Sequence, residues 1–103
     1  MILGEKQEKF ALMLAELIQW AYTQGYRIRL GHVMRCQNCK AGSAVSLHKL
    51  KLAADLNLFK DGKYLSTTED HTELGEMWES MGGTWGGRWN DGNHYSLEHE
   101  GRK

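Results

Sequence analysis

Lys49-Leu50-Lys51-Leu52-Ala53-Ala54-Asp55-Leu56-Asn57-Leu58 decides the fold class. Leu50, Leu52, Ala54, Leu56 and Leu58 are apolar at every second position. Lys49, Lys51, Asp55 and Asn57 fall between them, and Ala53 is small. A period of two belongs to a strand, and it outweighs the helix propensity of Leu, Lys and Ala. The alternation also sets a geometric problem. His48 and Asp55 are an odd number of residues apart, so a regular strand would aim them at opposite faces. For both to reach one point, His48 must precede the strand in a turn, or a bulge must intervene. On a helix the same spacing would put them on one face, so spacing alone leaves the choice open.

Working outward, Lys6 to Gln24 reads as an amphipathic helix. Phe10, Leu14, Leu17, Ile18 and Ala21 recur at three- and four-residue steps, and Gly25 is a natural stop. Tyr26 to Met34 reads as a half-buried strand, with Ile28 and Leu30 alternating with Arg27 and Arg29. Cys36 to Ser46 is small and polar, hence a loop. Beyond the deciding stretch, Asp61-Gly62 signals a hairpin. Thr67 and Asp70 have capping-box spacing before a second helix, whose apolar face is Leu74, Met77, Trp78 and Met81 and which Gly82 and Gly83 end. Thr84 to Gly92 reads as a glycine-rich loop, and Tyr95 to Glu98 as a short last strand. Trp78 is expected in the core; His71 and His99 are expected to face solvent. The architecture is α+β: a small antiparallel sheet with two packing helices.

The chain has 103 residues, the size of one domain with a modest core. Formal net charge is +0, and Lys and Arg are scattered, so nothing favours nucleic acid or a strongly acidic partner. The N-terminal stretch lacks the basic start and apolar run of a secretory signal. No segment reaches the roughly 20 apolar residues of a membrane span. The expectation is a cytoplasmic monomer without membrane insertion. Trp85 and Trp89 lie in the Gly-rich stretch, which suggests a loop or cleft wall.

His48, Asp55 and His94 supply two imidazoles and a carboxylate. That is enough to hold one zinc ion and leave a position open, the pattern of a catalytic site rather than a structural one. Zinc lowers the pKa of water toward neutrality and turns it into a nucleophile. Its proton needs an acceptor in reach, and Asp91, three residues before His94, is placed for that. Arg35, at the end of the first strand, is a candidate to steady the developing oxyanion.

Two motifs then carry a resemblance. Ser46-Leu47-His48, continued to Asp55-Leu56, resembles the SxHx(4)AxD motif of zinc peptidases related to D-Ala-D-Ala carboxypeptidases and VanY-type enzymes. The stretch from Gly82-Gly83-Thr84-Trp85-Gly86-Gly87-Arg88-Trp89 through Asp91 to His94-Tyr95 resembles the GGxWGGxWxDxxHF segment of their phage branch, endolysins that cut the L-alanyl-D-glutamate bond of peptidoglycan. The resemblance implies the LAS-type, hedgehog-like zinc peptidase fold over residues 1–103, without a separate wall-binding module. It implies Zn2+ on His48, Asp55 and His94, with Asp91 as base and then acid and Arg35 on the substrate carbonyl. Ser46 would support the site, and Trp85 and Trp89 would lie beside the substrate groove. The implied partner is the peptidoglycan peptide stem, reached from the bacterial host cytoplasm after membrane permeabilisation.

Two positions depart from the relatives. Lys51 stands where many carboxypeptidase members have Gly. Gly92 stands where some relatives carry the first His of a HxH, so base work falls to Asp91.

Two further readings stand beside the endopeptidase. One is a D-Ala-D-Ala carboxypeptidase or dipeptidase using the same site, which would need a cation such as Arg88 for the substrate carboxylate. The other is a non-catalytic zinc-binding module on Cys36 and Cys39 with His32 and His48. It leaves Asp55, Asp91 and the GGxWGGxW stretch unexplained.

Overall fold

The computed structural model describes residues 2–31 and 50–101. It has an α+β arrangement. Helix α1 (Leu3–Thr23) leads through Gly25, at φ +94°, into strand β1 (Tyr26–Leu30). Strand β2 (Ala53–Lys60) forms a hairpin with β3 (Lys63–Leu65). A 3-10 turn (Glu69–His71) runs into helix α2 (Thr72–Ser80). Strand β4 (Thr84–Trp85), a second 3-10 turn (Gly86–Trp89) and strand β5 (His94–Ser96) follow.

All strand pairings are antiparallel. The sheet order is β1-β2-β5-β4, with β3 also paired to β2. Thus β2 is central: β1 flanks one side, while β3 and β5 share the other. The expected hairpin is present, with Lys60 opposite Lys63 across a two-residue turn. Both turn residues, Asp61 and Gly62, have positive φ, the backbone that matches the twist of the flanking strands. The capping box is present too. Asp70 accepts the Thr67 N–H at 3.2 Å, and Thr67 Oγ1 accepts the Asp70 N–H at 3.1 Å.

The core lies between the helices and one face of the sheet. Phe10, Met13, Leu17 and Ala21 of α1 and Leu74 and Trp78 of α2 are buried with Leu56 and Leu58 of β2 and Tyr95 of β5. Trp78 crosses Phe10 and Tyr95 edge-on, the geometry that ring quadrupoles prefer. It is a core residue, as its spacing predicts. Among the described residues, no helix is long and apolar enough to cross a membrane.

Four expectations are corrected. The central strand begins at Ala53 rather than Lys49, because the chain turns at Leu50 and Lys51, where Lys51 has φ +59°. The Gly-rich segment contains β4, paired with β5 through Thr84–Ser96 and Trp85–Tyr95. His71 is buried rather than solvent-facing, at 3% exposure. It sits where the 3-10 turn tightens into α2, and this brings its ring against Tyr95. His99, also expected in solvent, is half-buried, with Nδ1 3.2 Å from Lys6 Nζ.

Candidate active site

The strand alternation puts Ala54, Leu56 and Leu58 on the helix side and Asp55 and Asn57 on the other. Asp55 lies directly across from His94 in the β2–β5 ladder, so both side chains leave the same face of the sheet. His94 Nδ1 stands 3.8 Å from Asp55 Oδ1, and both side chains are largely shielded from solvent. The neighbouring pair continues the polar strip, with Asn93 Nδ2 reaching Asn57 Oδ1 at 3.5 Å.

The turn that delivers His94 is fixed from several directions. The Asp91 carbonyl accepts the His94 N–H at 3.1 Å, and the Asp91 N–H donates to the Gly86 carbonyl at 2.9 Å. The Gly92 N–H donates to Thr68 Oγ1 at 3.2 Å. Trp85 Nε1 donates to the Gly92 carbonyl at 2.7 Å. The Asp91 carboxylate is exposed on this turn and makes no hydrogen bond or ion pair among the described residues. Asp91 is thus a turn residue by its backbone and an exposed carboxylate by its side chain.

The glycines of the motif act as sockets. A Cβ on Gly75 would stand 2.0 Å from the Trp85 ring, and one on Gly87 2.2 Å from the same ring. On Gly86 it would stand 2.3 Å from the Asp91 carbonyl oxygen. Trp85 is therefore sandwiched between a helix and a turn, and is 3% exposed. It lies beneath the turn rather than along a cleft. Trp89 is different: it is 45% exposed, and its ring centroid is 5.6 Å from that of His94. A run of Gly and Trp reads alike as loop or as cleft wall, and the residue that separates the two, Gly75, lies on another element.

Ahead of β2 the described chain turns at Leu50 and Lys51, where Lys51 has φ +59°. Positive φ is a backbone that glycine adopts most readily. Gln7 of α1 steadies the turn by donating from Nε2 to the Leu50 carbonyl at 2.9 Å. His48 itself lies outside the described residues. So do Arg35, Ser46, His32, Cys36 and Cys39.

Arg88 is committed elsewhere. It grips Glu79 of α2 with Nε at 2.8 Å and a second guanidinium nitrogen at 2.5 Å. This contact holds the Glu79 carboxyl below its ordinary range. His71 was not among the expected site residues. Its Nδ1 lies 2.8 Å from the Tyr95 hydroxyl. Burial pushes the imidazole down to about 4, opposed in part by Asp70, and pushes the Tyr95 phenol well up.

Among the described residues no three His, Cys, Asp or Glu side chains gather as a metal cage. Two donors of the types that zinc takes, Asp55 and His94, do come together. A largely shielded imidazole–carboxylate pair with an exposed carboxylate on the adjoining turn is a donor set suited to hydrolytic chemistry. Residues 40–97 match the D-alanyl-D-alanine carboxypeptidase family, and the chain belongs to that peptidase family. No curated protein matches the chain.

Proposed function

We propose that the protein is a zinc-dependent peptidoglycan peptidase that cuts the L-alanyl-D-glutamate bond of the peptide stem. The observation that carries the reading is the pairing of Asp55 with His94 across β2 and β5, 3.8 Å apart on the face away from the helices. His48, Asp55 and His94 would hold the metal, a donor set that leaves one position open. Zinc bound there supplies Lewis acidity toward the scissile carbonyl and toward water.

The chain's own residues do the rest. Asp91 takes the proton of the attacking water on its free carboxylate and passes it to the nitrogen of the leaving amine. Arg35 holds the carbonyl oxygen as it gains charge, and Ser46 supports the site by hydrogen bonding. Trp89, half-exposed beside His94, offers a wall to the substrate. Trp85 works from below, by holding the turn that carries Asp91 and His94. The protein acts as a monomer on the peptide stem, leaving the host cytoplasm through membrane lesions.

A second reading is favoured by the description of the family itself, a D-alanyl-D-alanine carboxypeptidase. That activity needs a cation for the free carboxylate of its substrate, and Arg88 is already engaged by Glu79.

Metal analysis and product analysis together test these readings. The wild type is expected to carry about one zinc per chain and to release products cut at the L-alanyl-D-glutamate bond from intact muropeptides. His94→Ala should lose both. Release of terminal D-Ala instead would establish the carboxypeptidase. Zinc retained in His94→Ala but lost in a Cys36→Ser/Cys39→Ser variant would move the metal to the cysteines and end the peptidase assignment of the site.

A further inference from the structure

Beside the turn that carries Asp91 lies a polar cleft of ≈ 180 Å³. One wall is the segment from Tyr64 to the 3-10 turn before α2; the other is the turn from Asn90 to Asn93. Its described lining carries hydroxyls, carboxamides, one imidazole and the Asp91 carboxylate, and no Lys or Arg. Several of these groups are spent on the fold. Thr67 binds Asp70, Thr68 binds Gly92 and Asn90, and Asn93 binds Asn57. The side-chain hydroxyls of Tyr64 and Ser66 make no hydrogen bond among the described residues.

His71 lies in the same lining, with Nδ1 2.8 Å from the Tyr95 hydroxyl. Burial lowers its imidazole to about 4, so the ring adds no positive charge to the cleft near neutral pH. Uncharged donors beside a carboxylate suit the carbonyl oxygen of a neutral group. A carboxylate ligand would meet Asp91 with no cation in the described lining to offset it.

We propose that this cleft is the subsite for an uncharged N-acyl group of the substrate, with the Tyr64 and Ser66 hydroxyls as donors to its carbonyl oxygen. The assignment rests on the peptidase reading and deepens it. Peptidoglycan offers two sources of this chemistry: the acetamido group of the sugar that bears the stem, and an amide of the stem itself. Either would set an internal bond beside Asp91, rather than the free carboxylate end of a peptide.

The test is an NMR titration of the labelled full chain with zinc added. Three probes are used: N-acetylmuramyl-L-alaninamide, N-acetyl-L-alaninamide and N-acetyl-D-alanyl-D-alanine. The backbone amides of Ser66 and Gly92 are expected to shift saturably with the uncharged probes. Tyr64→Phe and Ser66→Ala, which remove only a hydroxyl, should each weaken that binding about fivefold, the worth of one hydrogen bond. A response to the muramyl probe alone assigns the sugar as the source; equal affinity for both uncharged probes assigns the stem. The proposal is overturned if neither uncharged probe moves these amides, if the hydroxyl variants bind as the wild type does, or if the acidic dipeptide binds most tightly. Muropeptide hydrolysis measured in parallel keeps the two readings apart. Shifts without hydrolysis would sink the peptidase and leave the subsite; hydrolysis without shifts would sink the subsite alone.

Discussion

On one face of β2, Ala54, Leu56 and Leu58 are fully buried with the apolar residues of α1 and α2. On the other, Asp55 meets His94, Asn57 meets Asn93, and Arg29 of β1 lies over the Phe59 ring at 4.2 Å. The two faces share one backbone, one register and one set of ladder hydrogen bonds. They differ in what their side chains lose when exchanged. The helix face contributes burial and the open face presents donors, so on the proposed reading alternate residues along a single strand divide stability from chemistry.

Leu56→Ala against Asp55→Asn is the strongest way to break that division. Leu56→Ala removes a fully buried side chain and is expected to cost about 2–5 kcal/mol in urea unfolding. Metal content per folded molecule should stay at the wild-type level. Asp55→Asn should do the reverse, leaving the urea midpoint of the metal-free protein nearly unchanged while zinc binding and muropeptide hydrolysis disappear. If Asp55→Asn kept its metal, or if both variants unfolded alike, the two faces would not be separable.

The next effect is smaller and concerns the support beneath the open face. Gly75 lies in α2, where alanine would gain up to ~1 kcal/mol of helix propensity. Its Cβ would stand 2.0 Å from the Trp85 ring, and overpacking of this kind costs typically about 1–3 kcal/mol. Gly75→Ala is therefore expected to destabilise overall. It should also reduce hydrolysis, because the displaced indole no longer holds the Gly92 carbonyl. A stabilised variant with full activity would show that Trp85 is not what fixes the turn.

The smallest effect is a pH dependence. Burial holds His71 at about 4 against an ordinary 6.5. Between those values the unfolded chain binds more protons than the folded one, so stability falls as pH drops from 6.5 toward 4 and levels off below. Urea midpoints across that window should show the slope, and His71→Gln should flatten it. An unchanged slope would place the titrating group elsewhere.

Much of the frame was legible in the sequence, because it rests on local rules. The alternation around Asp55, the positive-φ pair at Asp61-Gly62 and the reciprocal cap between Thr67 and Asp70 all act within a few residues. What was not legible depends on distant partners. The start of β2 moved because Lys51 adopts a glycine-like backbone, which periodicity does not report. Trp85 read as a cleft wall because its neighbours are glycines, yet Gly87 and Gly75 make room for its burial. His71 occupies a position that reads as the exposed start of a helix, and only the arrival of Tyr95 on β5 encloses it. Of the expected site, Asp55, Asp91 and His94 are positioned by the described residues, while the segment that would carry His48 and Arg35 lies outside them.

The order of the strands bears on when activity can arise. β2 and β3 meet through a two-residue turn, but the contact between Asn57 and Asn93 spans 36 residues of chain. Closing so long a loop costs more entropy than closing a hairpin and rewards the chain only afterwards. The β2–β5 ladder is thus expected to form late, after the helices and the hairpin. On the proposed reading, Asp55 and His94 are brought together only when this ladder closes, so the chain would stay chemically silent until that step.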